Sequence, residues 1–204
     1  MELLKPLSMK HQDKEEYVSL ALKALMEQIG EDSVQGVLDL GPAVGTNVDF
    51  FSNRSRNFYV ADLLRELEKQ QLDGSDNEIR WDSVFVELLP YEKETRFDVI
   101  LAWDVLNYLQ KHQIGGFAKA VQPFCKPGTT LLAQIATRKS MPARSRRYHI
   151  LGNERLLYQN STQAVRSSPL YCEPDLRRML TGFEVKNTYL LRNGTHEYLF
   201  SYHP

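Results

Sequence analysis

The sequence has few cysteines, no surplus of charge of either sign and no long apolar run. Cys125 and Cys172 are the only cysteines in 204 residues, so no disulfide framework is indicated and a reducing, cytoplasmic compartment is expected. The 25 Lys and Arg residues balance 26 Asp and Glu residues, which gives no overall footprint for nucleic acid or an anionic membrane. The longest apolar stretches, such as Thr129–Ala136, are far shorter than the roughly 20 residues that a membrane-spanning helix needs.

Length and composition predict one domain over residues 1–204. A chain of this length buries roughly 70% of its unfolded surface, so one core needs neither a disulfide nor a metal to hold it together. The histidines do not show the spacing of metal ligands, and no metal site is predicted. They are His11, His112, His149, His196 and His203.

Short apolar strands alternate with helical segments along most of the chain. This alternation predicts an α/β fold with a doubly wound, mostly parallel sheet. Asn193-Gly194 favours a tight hairpin turn, so the last strand should run antiparallel to the one before it. The predicted strands are Gly36–Leu40, Phe58–Ala61, Glu78–Trp81, Phe97–Trp103, Thr129–Ala136, Phe183–Leu191 and His196–Tyr202. The predicted helices between them are Asn47–Ser52, Leu63–Gln71, Ser83–Leu89, His112–Phe124 and Pro174–Leu180.

Two further segments complete the predicted domain. Apolar residues at steps of four and three predict a helix over Asp13–Ile29, within an N-terminal helical segment, 1–33. Residues 137–172 carry no strong helix or strand pattern, and connections this long are usually functional or disordered. Their Tyr and Leu content favours an ordered lid over the sheet.

The first predicted strand ends in a loop with two glycines. Asp39, Gly41 and Gly45 form the pattern Asp-x-Gly-x-x-x-Gly, and Asp62 ends the next strand. Ligands of such sheets bind at the carboxyl ends of the strands, and glycine lets the backbone approach a ligand closely. Asp62 can accept hydrogen bonds from both hydroxyls of a ribose. Neither a P-loop nor the pattern Gly-x-Gly-x-x-Gly is present, which disfavours binding through phosphates.

In the order of these motifs, from about Val34 to Tyr202, the sequence resembles the class I S-adenosylmethionine-dependent methyltransferases. VLDLGPAVG is similar to the family's first motif, with Ala43 in place of its middle glycine. Asp62 stands at the ribose-binding acid, and Trp81-Asp82 stands where an Asp receives the adenine amino group. FDVILAWDVLNYL looks like the fourth motif, and FCKPGTTLLAQI and EPDLRRMLTGFEV look like the fifth strand with its turn and the last helix.

The resemblance implies a Rossmann-like sheet of seven strands, S-adenosylmethionine as cofactor and methyl transfer as the activity. The fourth motif implies that the end of its strand lies beside the cofactor and the acceptor. The residues implied to bind the cofactor are Asp39, Gly41, Pro42, Ala43, Gly45, Asn47, Asp62, Leu63, Trp81, Asp82, Ala102 and Trp103.

Four residues are candidates to act on the acceptor. Asp104 and Tyr108 follow the fourth strand, and Tyr148 and His149 lie in the 137–172 segment. Structural roles compete with these assignments. Asp62, Asp82 and Asp104 are good helix caps, and Trp103 is a typical core residue.

Basic residues are concentrated in the 137–172 segment. Guanidinium groups bind carboxylate and phosphate groups through paired hydrogen bonds, so this cluster indicates an anionic acceptor. A solvated surface or an RNA-binding surface is the alternative, and the balanced net charge disfavours RNA. The residues are Arg138, Lys139, Arg144, Arg146 and Arg147.

The sequence narrows the chemical class of the acceptor only in part. The Asn-Pro-Pro-Tyr signature of enzymes that methylate amide or exocyclic nitrogens is absent after the fourth strand, where Ala102–Val105 stands instead. We therefore expect a methyltransferase for a small or medium-sized molecule rather than for a protein or nucleic acid. The alternatives are a non-catalytic, methyltransferase-like binding protein and, less favoured, a nicotinamide-dependent oxidoreductase.

Overall fold

The computed structural model describes residues 14–30, 34–71 and 79–204. None of the described helices is both long and apolar enough to cross a membrane. The strands are β1 (Lys14–Val18), β2 (Val34–Asp39), β3 (Ser55–Val60), β4 (Phe97–Trp103), β5 (Cys125–Ala136), β6 (Ser140–Pro142), β7 (Arg147–Ile150), β8 (Arg155–Gln159), β9 (Val165–Ser167), β10 (Phe183–Leu190) and β11 (Thr195–Tyr202). The helices are α1 (Leu20–Ile29), α2 (Gly45–Ser52), α3 (Leu63–Gln70), α4 (Trp81–Leu88), α5 (Lys111–Val121) and α6 (Glu173–Met179), and short 3₁₀ turns span Val105–Tyr108 and Gln122–Phe124.

A six-stranded sheet forms the centre of the fold, in the order β10-β11-β5-β4-β2-β3. β2 pairs in parallel with β3 and β4, and β4 pairs in parallel with β5. β11 is antiparallel to both β5 and β10. The predicted doubly wound, mostly parallel sheet with an antiparallel last strand is confirmed. The carboxyl ends of β2, β3 and β4 therefore lie at one edge of the sheet.

Both faces of the sheet are covered, and the sequence of β4 shows why. Val99, Leu101 and Trp103 belong to one buried cluster, and Ile100 and Ala102 belong to another. Alternate residues of a strand point to opposite faces, so a strand that is apolar throughout needs helices on both sides. Helices α1 and α2 contribute to the first cluster, and α3, α4, α5 and α6 contribute to the second.

The described residues supply six strands to this sheet, whereas seven were predicted. The difference lies in the strand expected at Glu78–Trp81. Glu78 is outside the described residues, the next two residues are not in a strand, and Trp81 begins α4. Trp81 and Phe85 are both buried and lie four positions apart, which is the spacing of one helix face. Within the described residues, β3 is therefore the edge strand of the sheet.

The helix predicted over Asp13–Ile29 is shorter than expected, and a strand precedes it. Asp13 lies outside the described residues, and β1 pairs antiparallel with β8. Helix α1 begins only after Ser19, whose Oγ accepts a hydrogen bond from the backbone N–H of Leu22 at 3.0 Å. Ser is a favoured N-cap residue because its side chain satisfies one of the free N–H groups at a helix start.

A carboxylate from β11 completes the start of α1. Glu197 Oε1 accepts a hydrogen bond from Ser19 Oγ at 2.6 Å, and its Oε2 accepts one from the backbone N–H of Ala21 at 3.0 Å. Glu197 is fully buried, and burial raises the pKa of its carboxyl group. A negative group at this end of a helix is also favoured by the helix dipole. The contact fixes α1 to the central sheet.

Residues 137–172 form short strands rather than an irregular chain. β6 pairs with β9, and β7 and β8 form a separate sheet with β1 in the order β1-β8-β7. Tyr148 on β7 and Tyr158 on β8 are both buried. Part of the aromatic content of the segment thus serves packing.

Candidate functional site

A cavity of about 600 Å³ lies at the edge where β2, β3 and β4 end. Four of the residues predicted for the site line it: Pro42, Asp62, Trp81 and Tyr108. Its first wall also includes Leu64, Arg65, Leu67, Glu68, Leu109 and Gln113, and its second wall consists of Ala143, Arg144, Ser145, Arg147, Ser161 and Arg166. The second wall belongs entirely to the 137–172 segment.

Asp62 faces this cavity from the end of β3. It adopts a left-handed conformation, with φ 43° and ψ 51°, at the start of α3, and its side chain makes no capping hydrogen bond. Capping is therefore not what this carboxylate does. Asp tolerates the left-handed region better than most residues, but a non-glycine residue held there still stores about 1 to 3 kcal/mol of strain. Partial burial raises the pKa of Asp62, and Arg65 Nη1 lies 3.9 Å from its carboxylate.

Asp39, at the end of β2, is enclosed by other parts of the protein. It is 1% exposed, and its Oδ1 accepts hydrogen bonds from the Gly41 N–H at 2.9 Å and from Trp103 Nε1 at 2.7 Å. Its Oδ2 accepts a hydrogen bond from Asn47 Nδ2 at 3.1 Å. Burial raises the pKa of Asp39 to about 6, although all three of these bonds act to lower it. Through these hydrogen bonds to other described residues, Asp39 fixes the conformation of the loop that follows β2.

The two glycines of the loop differ in their surroundings. A Cβ on Gly41 would lie 2.9 Å from Trp103 Cδ1 and 3.2 Å from Asp39 Oδ1, so the close approach here is to an indole of the protein itself. A Cβ on Gly45 would meet nothing within 4 Å. Ala43 and Gly45 are exposed and are not among the residues that line the cavity.

Trp103 fills the space beside the glycine loop. Its backbone φ is 46°, its ring stacks on Tyr148 with centroids 5.1 Å apart and planes 4° apart, and it is 2% exposed. Ala102 is buried in the core on the other face of β4. The Tyr148 hydroxyl is buried with no hydrogen-bond partner of acceptable geometry among the described residues. The indole thus joins the loop, β4 and β7.

Asn47 and His149 link the same loop to β7. The Asn47 side chain donates to the Tyr148 carbonyl at 3.0 Å and accepts from the Ile150 N–H at 2.9 Å. His149 Nδ1 lies 3.5 Å from Thr46 Oγ1, and burial lowers the pKa of this histidine. Neither Asn47 nor His149 lines the cavity.

The residues predicted to bind the adenine have different surroundings. Trp81 is buried and lines both this cavity and a second one, and its indole N–H has no hydrogen-bond partner among the described residues. Asp82 forms an ion pair with Arg80 at 3.0 Å and lines the second cavity but not the first. Leu63 is a core residue, and Leu64, one position later, lines the site.

Two candidates for action on the acceptor hold the 137–172 segment in place. Asp104 is 4% exposed and accepts hydrogen bonds from Ser145 Oγ and from the Arg146 N–H. Burial raises its pKa. The Tyr108 hydroxyl donates to the Pro142 carbonyl at 3.1 Å, and burial raises the pKa of this phenol as well.

The basic cluster divides into an inward residue and outward residues. The Arg146 guanidinium lies 4.5 Å above the ring of Tyr158, and its Nε donates to Asn160 Oδ1 at 3.2 Å. Arg144 and Arg147 are exposed and line the cavity. No carboxylate of the described residues forms an ion pair with either of them.

Sequence reasoning missed several residues of this cavity, of which Arg65, Ser145 and Arg166 matter most. The first follows Asp62 by three positions, so helical spacing on α3 gave a usable signal. Arg166 lies on β9 outside the basic cluster, and only the pairing of β9 with β6 brings it to the site. Ser145 carries no sequence signal. Within the described residues no group of three or more His, Cys, Asp or Glu residues is arranged to hold a metal ion.

Comparison with known proteins gives one family and several similar structures. A family model described as a methyltransferase domain matches residues 9–190. No curated protein matches the sequence significantly. An S-adenosylmethionine-dependent methyltransferase from Clostridium acetobutylicum is 12% identical, with 89% of each chain covered and a TM-score of 0.49.

Two further structures show the same level of similarity. The 1,6-didemethyltoxoflavin-N1-methyltransferase of Burkholderia thailandensis, solved with 1,6-didemethyltoxoflavin and S-adenosylhomocysteine, is 14% identical with a TM-score of 0.48. That match covers 89% of this chain and 76% of the other. DesVI of Streptomyces venezuelae is 15% identical over 89% of each chain, with a TM-score of 0.47.

Proposed function

This chain belongs to the methyltransferase-domain family, and from that premise we propose that it transfers the methyl group of S-adenosylmethionine to a small, anionic acceptor in the 600 Å³ cavity. The observation that carries the proposal is the composition of the two walls. The first wall presents a carboxylate, Asp62, at the end of β3, and the second presents arginines from the 137–172 segment. Family membership also sets aside the nicotinamide-dependent alternative.

The first wall suits the nucleoside part of the cofactor. Asp62 is held in a left-handed conformation, has no capping role and lines the cavity, so its oxygens are available to ribose hydroxyls. The buried indole N–H of Trp81 lacks a protein partner, and an unsatisfied buried donor is costly unless a ligand accepts its hydrogen. We assign Asp62 and Trp81 to cofactor binding.

The glycine loop acts indirectly in this proposal. The Gly41 N–H donates to Asp39, so it is not free for the carboxylate of the cofactor. Pro42 is the residue through which the loop lines the cavity. We assign Asp39, Gly41, Asn47 and Trp103 to fixing the shape of the loop.

The second wall suits an anion. Four arginines line the cavity, Arg65, Arg144, Arg147 and Arg166, against two acidic residues, Asp62 and Glu68. Arg65 lies 3.9 Å from Asp62, and Asp62 also attracts Arg147 from beyond ion-pair distance, whereas Arg144 forms no ion pair with a carboxylate in the part of the chain that the structure describes. Guanidinium groups that line a cavity without a close ion pair favour carboxylate or phosphate groups on a ligand.

The chemistry asks the protein mainly to position its two substrates. S-adenosylmethionine supplies an activated methyl group, so the protein need not provide a covalent nucleophile. Holding the acceptor in line with that methyl group and excluding water supplies effective molarity worth about 7 to 11 kcal/mol in favourable cases. Asp62 and Trp81 would orient the donor, and Arg144 and Arg147 would orient the acceptor through its charge.

The experiment compares two aspartates that the resemblance assigns to the cofactor, Asp62 to its ribose and Asp82 to its adenine. Asp62→Ala should weaken the binding of S-adenosylhomocysteine, the reaction product, by about 1.5 to 3 kcal/mol, or about 10- to 100-fold, because the ribose loses a charged acceptor. Asp82→Ala should leave it unchanged, since Asp82 pairs with Arg80 at another cavity. Calorimetric titration measures both constants.

Equal losses of affinity in the two variants would return Asp82 to the cofactor site, and an unaffected Asp62→Ala protein would refute the ribose assignment.

The acceptor is tested with S-adenosylmethionine carrying a radiolabelled methyl group. Label should pass to members of a panel of small carboxylates and phosphate esters. Transfer to neutral amines or phenols alone would contradict an anionic acceptor.

A further inference from the structure

Residues that follow β4 fix the loop between β6 and β7 through hydrogen bonds. Asp104, the residue after β4, accepts hydrogen bonds from the Ser145 hydroxyl and from the Arg146 N–H, the latter at 3.2 Å. Tyr108 donates to the Pro142 carbonyl at 3.1 Å. The loop is therefore fixed at its beginning and at its end.

The support for this contact is itself rigid. Asn107 Nδ2 donates to the Asp104 carbonyl at 2.9 Å and to the Gln134 carbonyl at 2.8 Å, and Asn107 Oδ1 accepts from the Ala136 N–H at 2.9 Å. These bonds tie the 3₁₀ turn after β4 to β5. Asp104 therefore connects the loop between β6 and β7 to the central sheet in a fixed position.

The direction of the arginines depends on this loop. With Ser145 and the Arg146 N–H bound to Asp104, the Arg146 side chain turns toward Tyr158 and Asn160. Arg144 and Arg147, on either side, then line the cavity. A shift of the loop by one position would exchange an inward guanidinium for an outward one.

We propose that Asp104 is a positioning residue for the acceptor, which acts by holding the 142–147 loop so that Arg144 and Arg147 form an anion-binding subsite. This inference rests on the proposed function. It assigns Asp104 away from the reacting atoms, because Asp104 is enclosed by the loop and does not line the 600 Å³ cavity. A carboxylate suits the role because it accepts from the hydroxyl and the backbone N–H at the same time.

The experiment uses the full chain saturated with S-adenosylhomocysteine and inorganic pyrophosphate as the anion. Asp104→Ala should weaken pyrophosphate binding about tenfold, and Ser145→Ala about threefold, because each removes contacts that place the arginines. Asp104→Asn, which keeps one acceptor, should fall between the wild type and Asp104→Ala. Affinity for S-adenosylhomocysteine should stay within about twofold in all three, since that site depends on the first wall.

A double-mutant cycle separates positioning from a general loss of structure. Arg144→Gln/Arg147→Gln should weaken pyrophosphate binding on its own, and adding Asp104→Ala should weaken it no further, because Asp104 acts through these arginines. Losses that add, or a parallel loss of S-adenosylhomocysteine binding, would overturn the inference. Ser145→Ala keeps the test decisive if Asp104→Ala fails to fold.

Hydrogen exchange distinguishes the two proposals from each other. The backbone amides of residues 144–147 should exchange faster in Ser145→Ala and Asp104→Ala than in the wild type. Unchanged exchange overturns the positioning role, whatever the anion does. Wild-type protein that binds S-adenosylhomocysteine but not pyrophosphate overturns the anionic acceptor of the proposed function, and the subsite with it.

Discussion

The residues predicted to bind the cofactor fall into two regions with opposite properties. One region is buried and internally bonded, and its centre is Asp39 with Gly41 and Trp103. The other lines the cavity and includes Asp62 and Trp81, each with polar atoms that no capping or hydrogen bond of the described chain satisfies. The two aspartates end neighbouring strands, and their surroundings alone separate them.

The predicted cofactor residues thus include buried residues that fix the loop and other residues that line the cavity. Substitutions in the buried region should lower the free energy of unfolding, whereas substitutions on the cavity should lower affinity, as proposed above for Asp62→Ala. The following variants test where the boundary between the two regions lies.

Trp103→Ala should have the largest effect, on stability. Removing a buried indole that stacks on Tyr148 and donates to Asp39 should lower the free energy of unfolding by about 3 to 5 kcal/mol. Trp103→Phe keeps a ring for stacking and loses the hydrogen bond, so its loss should be smaller. Urea denaturation measures both. A Trp103→Ala protein as stable as the wild type but with weakened S-adenosylhomocysteine binding would move Trp103 into the binding region.

Asp39 should make stability depend on pH. Its pKa is about 6 in the folded state, against about 3.9 in an unfolded chain, so the folded state binds the proton more tightly. The stabilisation that proton binding by Asp39 gives the folded state is complete below about pH 4 and is lost as pH rises through about 6. The free energy of unfolding should therefore decrease by about 3 kcal/mol over this range. The difference in unfolding free energy between the wild type and Asp39→Asn should follow this course.

The wild type is compared with Asp39→Asn because burial also raises the pKa values of Asp104 and Glu197, which are present in both proteins. Asp49→Asn, a change at an exposed residue of α2, is the matched control and should keep the wild-type dependence. A difference between the wild type and Asp39→Asn that stays flat from pH 4 to 6 would mean that Asp39 is more solvated than its burial indicates.

The two glycines give the smallest and sharpest test. Gly45→Ala should change stability by less than about 1 kcal/mol and leave S-adenosylhomocysteine binding intact, because its Cβ would enter open space. Gly41→Ala should be destabilising, since its Cβ would lie 2.9 Å from the Trp103 ring. Loss of binding in Gly45→Ala at unchanged stability would place a ligand directly against this part of the loop.

The fold was predictable where its signals are local. Residues 36–40 and 97–103 are short apolar runs followed by loops, and both are strands whose carboxyl ends meet at the cavity. The same reasoning failed for residues 14–18, which pair with β8 across about 140 positions of sequence. Pairing at that distance leaves no periodicity in the residues themselves, so a neighbouring helical pattern was extended over them.

Only some of the residues that line the cavity were predictable from the sequence. Motif order indicated Asp62 and Trp81, which both line the cavity, but it could not tell that the Asp39 carboxylate accepts hydrogen bonds from the loop itself. Arg166 reaches the cavity only because β9 pairs with β6. Side-chain partners of this kind are set by tertiary packing, which a strand-by-strand pattern does not contain.

The contact between Glu197 and the start of α1 has a consequence for the order of folding during synthesis. Ala21 and Glu197 are 176 residues apart, so α1 leaves the ribosome long before the carboxylate that completes its first turn has been made. Closing so long a loop is slow, and domains of this size tend to form as units. We therefore expect α1 to dock late, after translation of β11, although it is synthesised before every strand of the central sheet.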